Sequence, residues 1–261
     1  MNPTAIQSRR PYPAIGDVLA QYPIGISRYN ALQAKLEKRF SGGAFQASYT
    51  WSKSLDLLST DGGNVANGLD PRRNYGPSDF DRTHQLTLSY TYELPFGQGR
   101  KLLNHDDVFS KYVLGGWQLN GITSFASGQP FGVLENDKSN TGGNHTFYAD
   151  RVCNGNRAVG ERTQLKWFDT SCCVQPALGT RAMRAGTSCA WGGIKNWNVS
   201  LFKNLPLGES RSLQFRAEFF NLFNQHSFSL SEVSVTDPRY GEATGTTTDP
   251  RVIQFALKFL F

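Results

Sequence analysis

Along most of this chain, large apolar residues recur at every second position, in runs that end at glycine, proline, asparagine or serine. A two-residue period sends alternate side chains to opposite faces of an extended backbone, so each run predicts a half-buried strand rather than a helix. The pattern is sharpest at the carboxyl end, where Ile253, Phe255, Leu257, Phe259 and Phe261 share one face and Gln254, Ala256 and Lys258 take the other. In residues 29–40, Leu32, Ala34 and Leu36 alternate with Gln33, Lys35 and Glu37 until Ser41-Gly42-Gly43 interrupts. Phe45, Ala47, Tyr49 and Trp51 then alternate with Gln46, Ser48, Thr50 and Ser52, and two such runs around a short glycine turn predict a β-hairpin.

The cleanest alternation sets His84, Leu86, Leu88, Tyr90, Tyr92 and Leu94 against Thr83, Gln85, Thr87, Ser89, Thr91 and Glu93, and it breaks at Pro95-Phe96-Gly97. Residues 115–127 place Trp117, Leu119 and Phe125 opposite Gln118, Asn120 and Ser124. Further on, Trp197, Val199, Leu201 and Leu205 oppose Asn198, Ser200 and Asn204. A turn at 207–210 leads into Leu213, Phe215, Ala217 and Phe219, opposed by Gln214, Arg216, Glu218 and Phe220. A weaker strand over residues 14–21 brings the expected total to about eight.

The connections alternate in length. Residues 41–43 and 208–210 are tight, whereas 57–81, 128–196 and 224–249 are long and rich in Gly, Asn, Asp, Thr and Pro. Residues 97–114 are longer than the tight side predicts, and a brief helix is expected near 106–112. Short turns at one end and long loops at the other are the asymmetry of outer-membrane barrels, and structureless loops of this size are uncommon in compact soluble domains. With Phe261 at the periplasmic rim, strand parity puts every long loop outside the cell.

The two faces differ in kind. One carries Leu and Phe in mid-strand with Tyr49, Trp51, Tyr90, Tyr92, Trp117 and Trp197 toward the ends, as interfacial girdles require. The other carries Gln, Ser, Thr and Asn, with Arg216 and Glu218, and suits a wet lumen. The residues expected to face lipid are Tyr49, Trp51, Leu86, Leu88, Tyr90, Tyr92, Trp117, Leu213, Phe215, Phe219, Ile253, Phe255, Leu257, Phe259 and Phe261. A soluble β-sandwich, with two apolar faces meeting in a core, is the alternative; sparse Val and Ile and aromatic strand ends count against it.

Composition fits the pattern: over 261 residues, 39% are hydrophobic and 13% aromatic, with 26 glycines, which suits amphipathic strands better than an aliphatic core. No apolar run is long enough for a membrane helix, but a barrel strand needs only about 9–11 residues. The net charge is +6, yet the cations are scattered and no reader motif accompanies them, so nucleic acid is not expected as a partner. The first ten residues lack the apolar core and cleavage site of an export signal, so the chain is expected to be a fragment, with an extension over 1–13 and the barrel over 14–261.

Candidate chemistry is sparse. Cys153, Cys172, Cys173 and Cys189 all fall within residues 128–196, which predicts one or two disulfides in an oxidising compartment, with three pairings open. Cys172 and Cys173 are adjacent and no C-x-x-C occurs, which argues against zinc. Asp61-Gly62-Gly63-Asn64 and Asp79-Phe80-Asp81 read as turn chemistry rather than calcium loops, and His84, His105, His145 and His226 are dispersed. No nucleophile elbow or phosphate loop is present, so neither an enzyme nor a cofactor is expected.

Several segments together resemble the C-terminal barrel of TonB-dependent outer-membrane receptors, in particular the Oar-like group. They are residues 29–40 (YNALQAKLEKRF), 47–56 (ASYTWSKSLD), Phe80-Asp81-Arg82-Thr83-His84 leading to 92–97 (YELPFG), 115–121 (GGWQLNG) with 127–131 (SGQPF), and 216–224 (RAEFFNLFN). Their order and spacing over about residues 8–261 carry the likeness. The resemblance implies a Gram-negative outer-membrane location, an arc of a barrel of about twenty-two strands, and a share in energised uptake of an unidentified nutrient solute. The implied partners are outer-membrane lipid, the barrel-assembly machinery through the C-terminal strand, and TonB through a plug and box that this chain lacks. A passive or adhesive barrel that closes alone is the rival function. Loop aromatics such as Phe147, Tyr148, Trp167 and Trp191 are available to a ligand or to packing beneath the loops.

Overall fold

The computed structural model describes residues 6–15, 22–60, 65, 70–136, 147–182, 188–208, 210–229 and 233–261. Seven long strands form one antiparallel meander in which sequence neighbours are spatial neighbours. They are β1 (Ser27–Phe40), β2 (Gly43–Asp56), β3 (His84–Glu93), β4 (Trp117–Ala126), β5 (Ile194–Pro206), β6 (Ser212–Phe220) and β7 (Val252–Leu260). A two-residue strand, Gly76–Pro77, pairs with the end of β2. The architecture is therefore all-β and antiparallel, as the alternation predicts. Of the eighth expected strand, residues 14 and 15 lie in a turn and a bend, and 16–21 lie outside the described residues.

Register turns seven separate alternations into one two-faced sheet. Tyr49 pairs with Ala34 on one side and Leu86 on the other, and Leu86 pairs in turn with Phe125. Leu119 sits opposite Leu201, Leu201 opposite Ala217, and Ala217 opposite Phe255. A slip of one residue anywhere would interleave wet and dry side chains, so the hydrophobic pattern fixes the pairing. The dry face is bare toward both edges: Leu32 and Leu36 on β1 are 59% and 61% exposed, and Phe255 and Leu257 on β7 are 66% and 67% exposed. A sandwich would cover these residues with a second sheet. The single layer, with dry flanks open, is that of a barrel wall.

All short connections lie at one end of the sheet. Ser41 and Gly42 join β1 to β2, with Gly42 at φ 91°, a left-handed conformation that glycine adopts without steric cost. Between β5 and β6, the Leu207 amide donates to Arg211 O at 2.8 Å. The longer 94–116 connection does contain a helix, but it is a π-turn over Ser110–Leu114, later than the composition indicated. Lys203 explains how that turn is held. It lies on the dry face of β5, opposite Phe215 and Trp117, where a lone ammonium would be costly. Its Nζ instead donates to the carbonyls of Val113, at 3.1 Å, and Gly115, and sits 5.1 Å above the Trp117 ring.

The long connections, 57–83, 127–193 and 221–251, all lie at the opposite end. The one compact hydrophobic cluster among the described residues is there rather than on the sheet.

Candidate functional site

Each long loop is pinned to the sheet by a polar side chain at its base. Asp81 is buried, and its Oδ1 accepts the Ser54 amide of β2 at 2.7 Å while Oδ2 receives Lys53 Nζ at 2.7 Å. The next residue, Arg82, reaches across to Ser127 O at 2.9 Å, and Ser52 Oγ donates to Arg82 O at 3.0 Å. The Phe80-Asp81-Arg82-Thr83 segment thus staples the 57–83 loop to β2 and to the start of the next loop.

At the base of 221–251, the Asn221 amide donates to Asn198 Oδ1 on β5 at 3.0 Å, and its side chain gathers the two ends of the loop. Its Nδ2 donates to Gln225 O at 3.0 Å and Asp249 O at 2.9 Å, while its Oδ1 accepts from Gln225 N at 2.9 Å. Both Asn221 and Asn224 are left-handed, at φ 51° and 49°, a conformation asparagine tolerates better than most residues. Asn224 Oδ1 then receives the Arg251 amide at 3.0 Å, just before β7 begins.

Above these anchors the 127–193 and 221–251 loops share one core. Phe131, Val133, Ala149, Trp167, Phe168, Cys173 and Cys189 come from the first loop and Ala243 from the second, with Phe228, Val233, Val235 and Tyr240 packed against them. Backbone bonds knit the two together: Leu134 N to Val233 O at 2.8 Å, Val235 N to Leu134 O at 2.9 Å, Trp167 N to Gly241 O at 3.0 Å and Ala243 N to Gln164 O at 2.7 Å. Aromatic rings meet edge to face, Phe131 with Phe168 at 5.7 Å and Phe168 with Tyr240 at 5.3 Å. These loops are a folded cap rather than tethered coil.

The cysteines stitch this cap. Cys153 and Cys172 form a disulfide, whereas Cys173 and Cys189, also candidates for bridging, stand as buried thiols. Asp169 caps the short turn Thr170–Cys172, accepting from the Ser171 amide at 3.1 Å and from Ser171 Oγ at 2.7 Å. These two bonds, side chain first, hold its carboxyl below the ordinary aspartate range.

Other candidates are scattered. Trp167 is buried in the cap and Trp191 packs against it, so both serve the core, and Phe147 O receives the Glu135 amide. Residues 61–64 and His145 lie outside the described residues, and no group of three metal-ligating side chains occurs among the described ones. His84 sits at the loop rim, with its Nδ1 2.9 Å from the Tyr49 hydroxyl. A shallow, mostly apolar pocket of about 300 Å³ opens beside the first loop, between Ile24, Ile26, Leu57 and Pro71.

The residues expected to face lipid all project from the dry face or continue it, as Phe261 does beyond β7. The dry-face aromatics form a row at each end of the sheet, with the Phe215–Phe255 stack at 6.0 Å in between. Toward the loops stand Tyr49, Trp51, Phe125 and Trp197, with Phe223 stacked edge-on against Trp197 at 5.6 Å. Toward the turns stand Phe40, Tyr92, Trp117, Phe259 and Phe261. Sequence reasoning missed Lys203 because a cation on a dry face breaks the alternation. It missed the shared cap because Phe131, Val133, Ala149 and Phe168 follow no period.

A family model described as an outer membrane beta barrel domain matches residues 1–254. Among solved structures, that of the outer membrane transporter YddB from Escherichia coli aligns with a TM-score of 0.44 at 10% identity, covering 90% of this chain and 25% of that one. The chain thus spans about a quarter of the length of that transporter. No curated protein matches it. A family match over nearly the whole sequence, on an antiparallel sheet with one dry face, places the protein in the outer membrane of a Gram-negative cell: the chain belongs to the outer membrane β-barrel domain family.

Proposed function

We propose that this chain is a contiguous arc of the wall of a TonB-dependent transporter, and that its looped cap forms part of the vestibule where a nutrient solute is captured before energised uptake. The observation that carries the reading is strand parity. β1 and β7 are joined by six antiparallel pairings, so they run in the same direction. Bringing them together would create a parallel seam, whereas single-chain bacterial barrels are antiparallel and even-numbered. Closure therefore takes an odd number of further strands: one gives a narrow ring of eight, and the proposed wide barrel takes more. A wide barrel has room for a plug and a solute; a ring of about eight strands is filled by its own side chains. The wet face, with Lys35, Glu37, Arg39, Gln46, Gln85 and Asn120, then lines the passage.

Cysteines placed at Leu36 and, one at a time, at Ile253, Phe255, Leu257 and Phe259 test the arc in cells. No cross-link forms if other strands lie between the edges; a cross-link at any pair means that the seven strands close on themselves and overturns the arc, while the uptake experiment separates the wide transporter from a narrow passive barrel. Energised uptake is read in cells carrying the complete receptor, supplied with a panel of radiolabelled ferric chelates and oligosaccharides. A protonophore abolishes accumulation if the proposal holds and leaves it unchanged for a passive pore.

A further inference from the structure

Cys173 and Cys189 come from different parts of the 127–193 loop. Cys173 opens a short strand paired to Asp150–Arg151, and Cys189 is the middle residue of Ser188–Ala190, paired to Pro130–Gly132 with Phe131 opposite it. Both are nearly fully buried in the cap core, at 4% and 2% exposure, and there each thiol has the other as its neighbour. Cys172, one residue earlier, is already bonded to Cys153, and Gly155 lies between the two sulfur pairs: a Cβ there would stand 3.3 Å from Cys172 Cβ and 3.8 Å from Cys189 Sγ. Two free thiols side by side in a closed core have no packing advantage over a bond between them. Both sides of the outer membrane are oxidising, so the compartment favours the bond whichever way the cap points.

We infer that Cys173 and Cys189 are a bridging pair, which closes a second disulfide beside Cys153–Cys172 and locks the two short strand pairs of the cap together. The Cys189 thiol, hydrogen bonding to the Cys173 sulfur, draws Cys173 down to about 7, while the same contact and burial push Cys189 up. Before the cap closes over them, one of the two thiolates attacks a protein disulfide oxidant of that compartment to give a mixed disulfide. The other thiol then loses its proton and displaces the oxidant, whose own disulfide has taken up two electrons and leaves as a dithiol. The bridge joins two members of the cap core, so it resists opening of the cap and leaves the sheet unaltered.

The inference rests on the outer-membrane location and not on the transport proposal, so either can fail alone. The full chain is recovered from outer membranes, free thiols are capped with N-ethylmaleimide in denaturant, and non-reduced tryptic peptides are weighed. Residues 152–157, 167–181 and 185–195, carrying Cys153, the Cys172-Cys173 pair and Cys189, are expected as one three-peptide species with no maleimide. A two-peptide species plus maleimide-labelled 185–195 overturns the inference. In Cys172→Ser, the 167–181 and 185–195 peptides remain joined and Cys153 alone is labelled; transfer of Cys153 to Cys173, with Cys189 labelled, also overturns it.

Discussion

Single side chains decide where the loops leave the sheet. Replacing Asp81 with Ala strands the buried Ser54 amide and removes the partner of Lys53. An orphaned buried donor costs about 1–3 kcal/mol. Asp81→Ala is therefore expected to lower the urea midpoint of the detergent-solubilised protein and to admit protease within residues 57–83 first. Gly128 is a second such point, since a Cβ there would overlap the Trp191 carbonyl oxygen. Gly128→Ala must displace backbone at the base of the cap, and overpacking of this kind costs about 1–3 kcal/mol. Asp169 adds a pH term. Its folded pKa lies below the ordinary value, so its stabilisation is complete above the unfolded carboxylate range and disappears as pH falls through the folded value. Proteolysis of the cap should accelerate below about pH 4, and Asp169→Asn should flatten that dependence; an identical acid profile in the variant counts against the cap bond.

Strands read differently from loops. All seven strands were legible because a two-residue period leaves a signature in every run, and register requires each run to agree with its neighbours. Leu88 and Thr87 test the two faces at one depth. Arginine in place of Leu88 on the dry face is expected to cost about 2–4 kcal/mol in bilayer folding, as at the membrane midplane, while Thr87→Arg on the wet face changes stability little. Equal costs would mean that the faces are misassigned. What sequence left unread has a physical cause in each case. The cap core gathers Val133, Ala149, Trp167 and Ala243 from distant stretches, and burial among loops imposes no period. Lys203 sits on the dry face because three groups at the turn rim, Val113 O, Gly115 O and the Trp117 ring, receive its ammonium. Adjacent cysteines left three pairings open, and only the fold brings Cys153 to Cys172.

At the scale of the whole molecule, the five tryptophans divide by environment. Trp51, Trp117 and Trp197 project from the dry face, whereas Trp167 and Trp191 belong to the cap. In vesicles with brominated acyl chains, the fluorescence of variants retaining only Trp51, Trp117 or Trp197 should be quenched. Variants retaining only Trp167 or Trp191 should not be. Quenching of the second group would lay the cap in the membrane. The cap also has a mechanical bearing. Because Leu134 is threaded between two segments whose feet stand on β4, β5, β6 and β7, a push on either one tugs four neighbouring staves at once. The roof over that rim is one piece rather than two separate flaps.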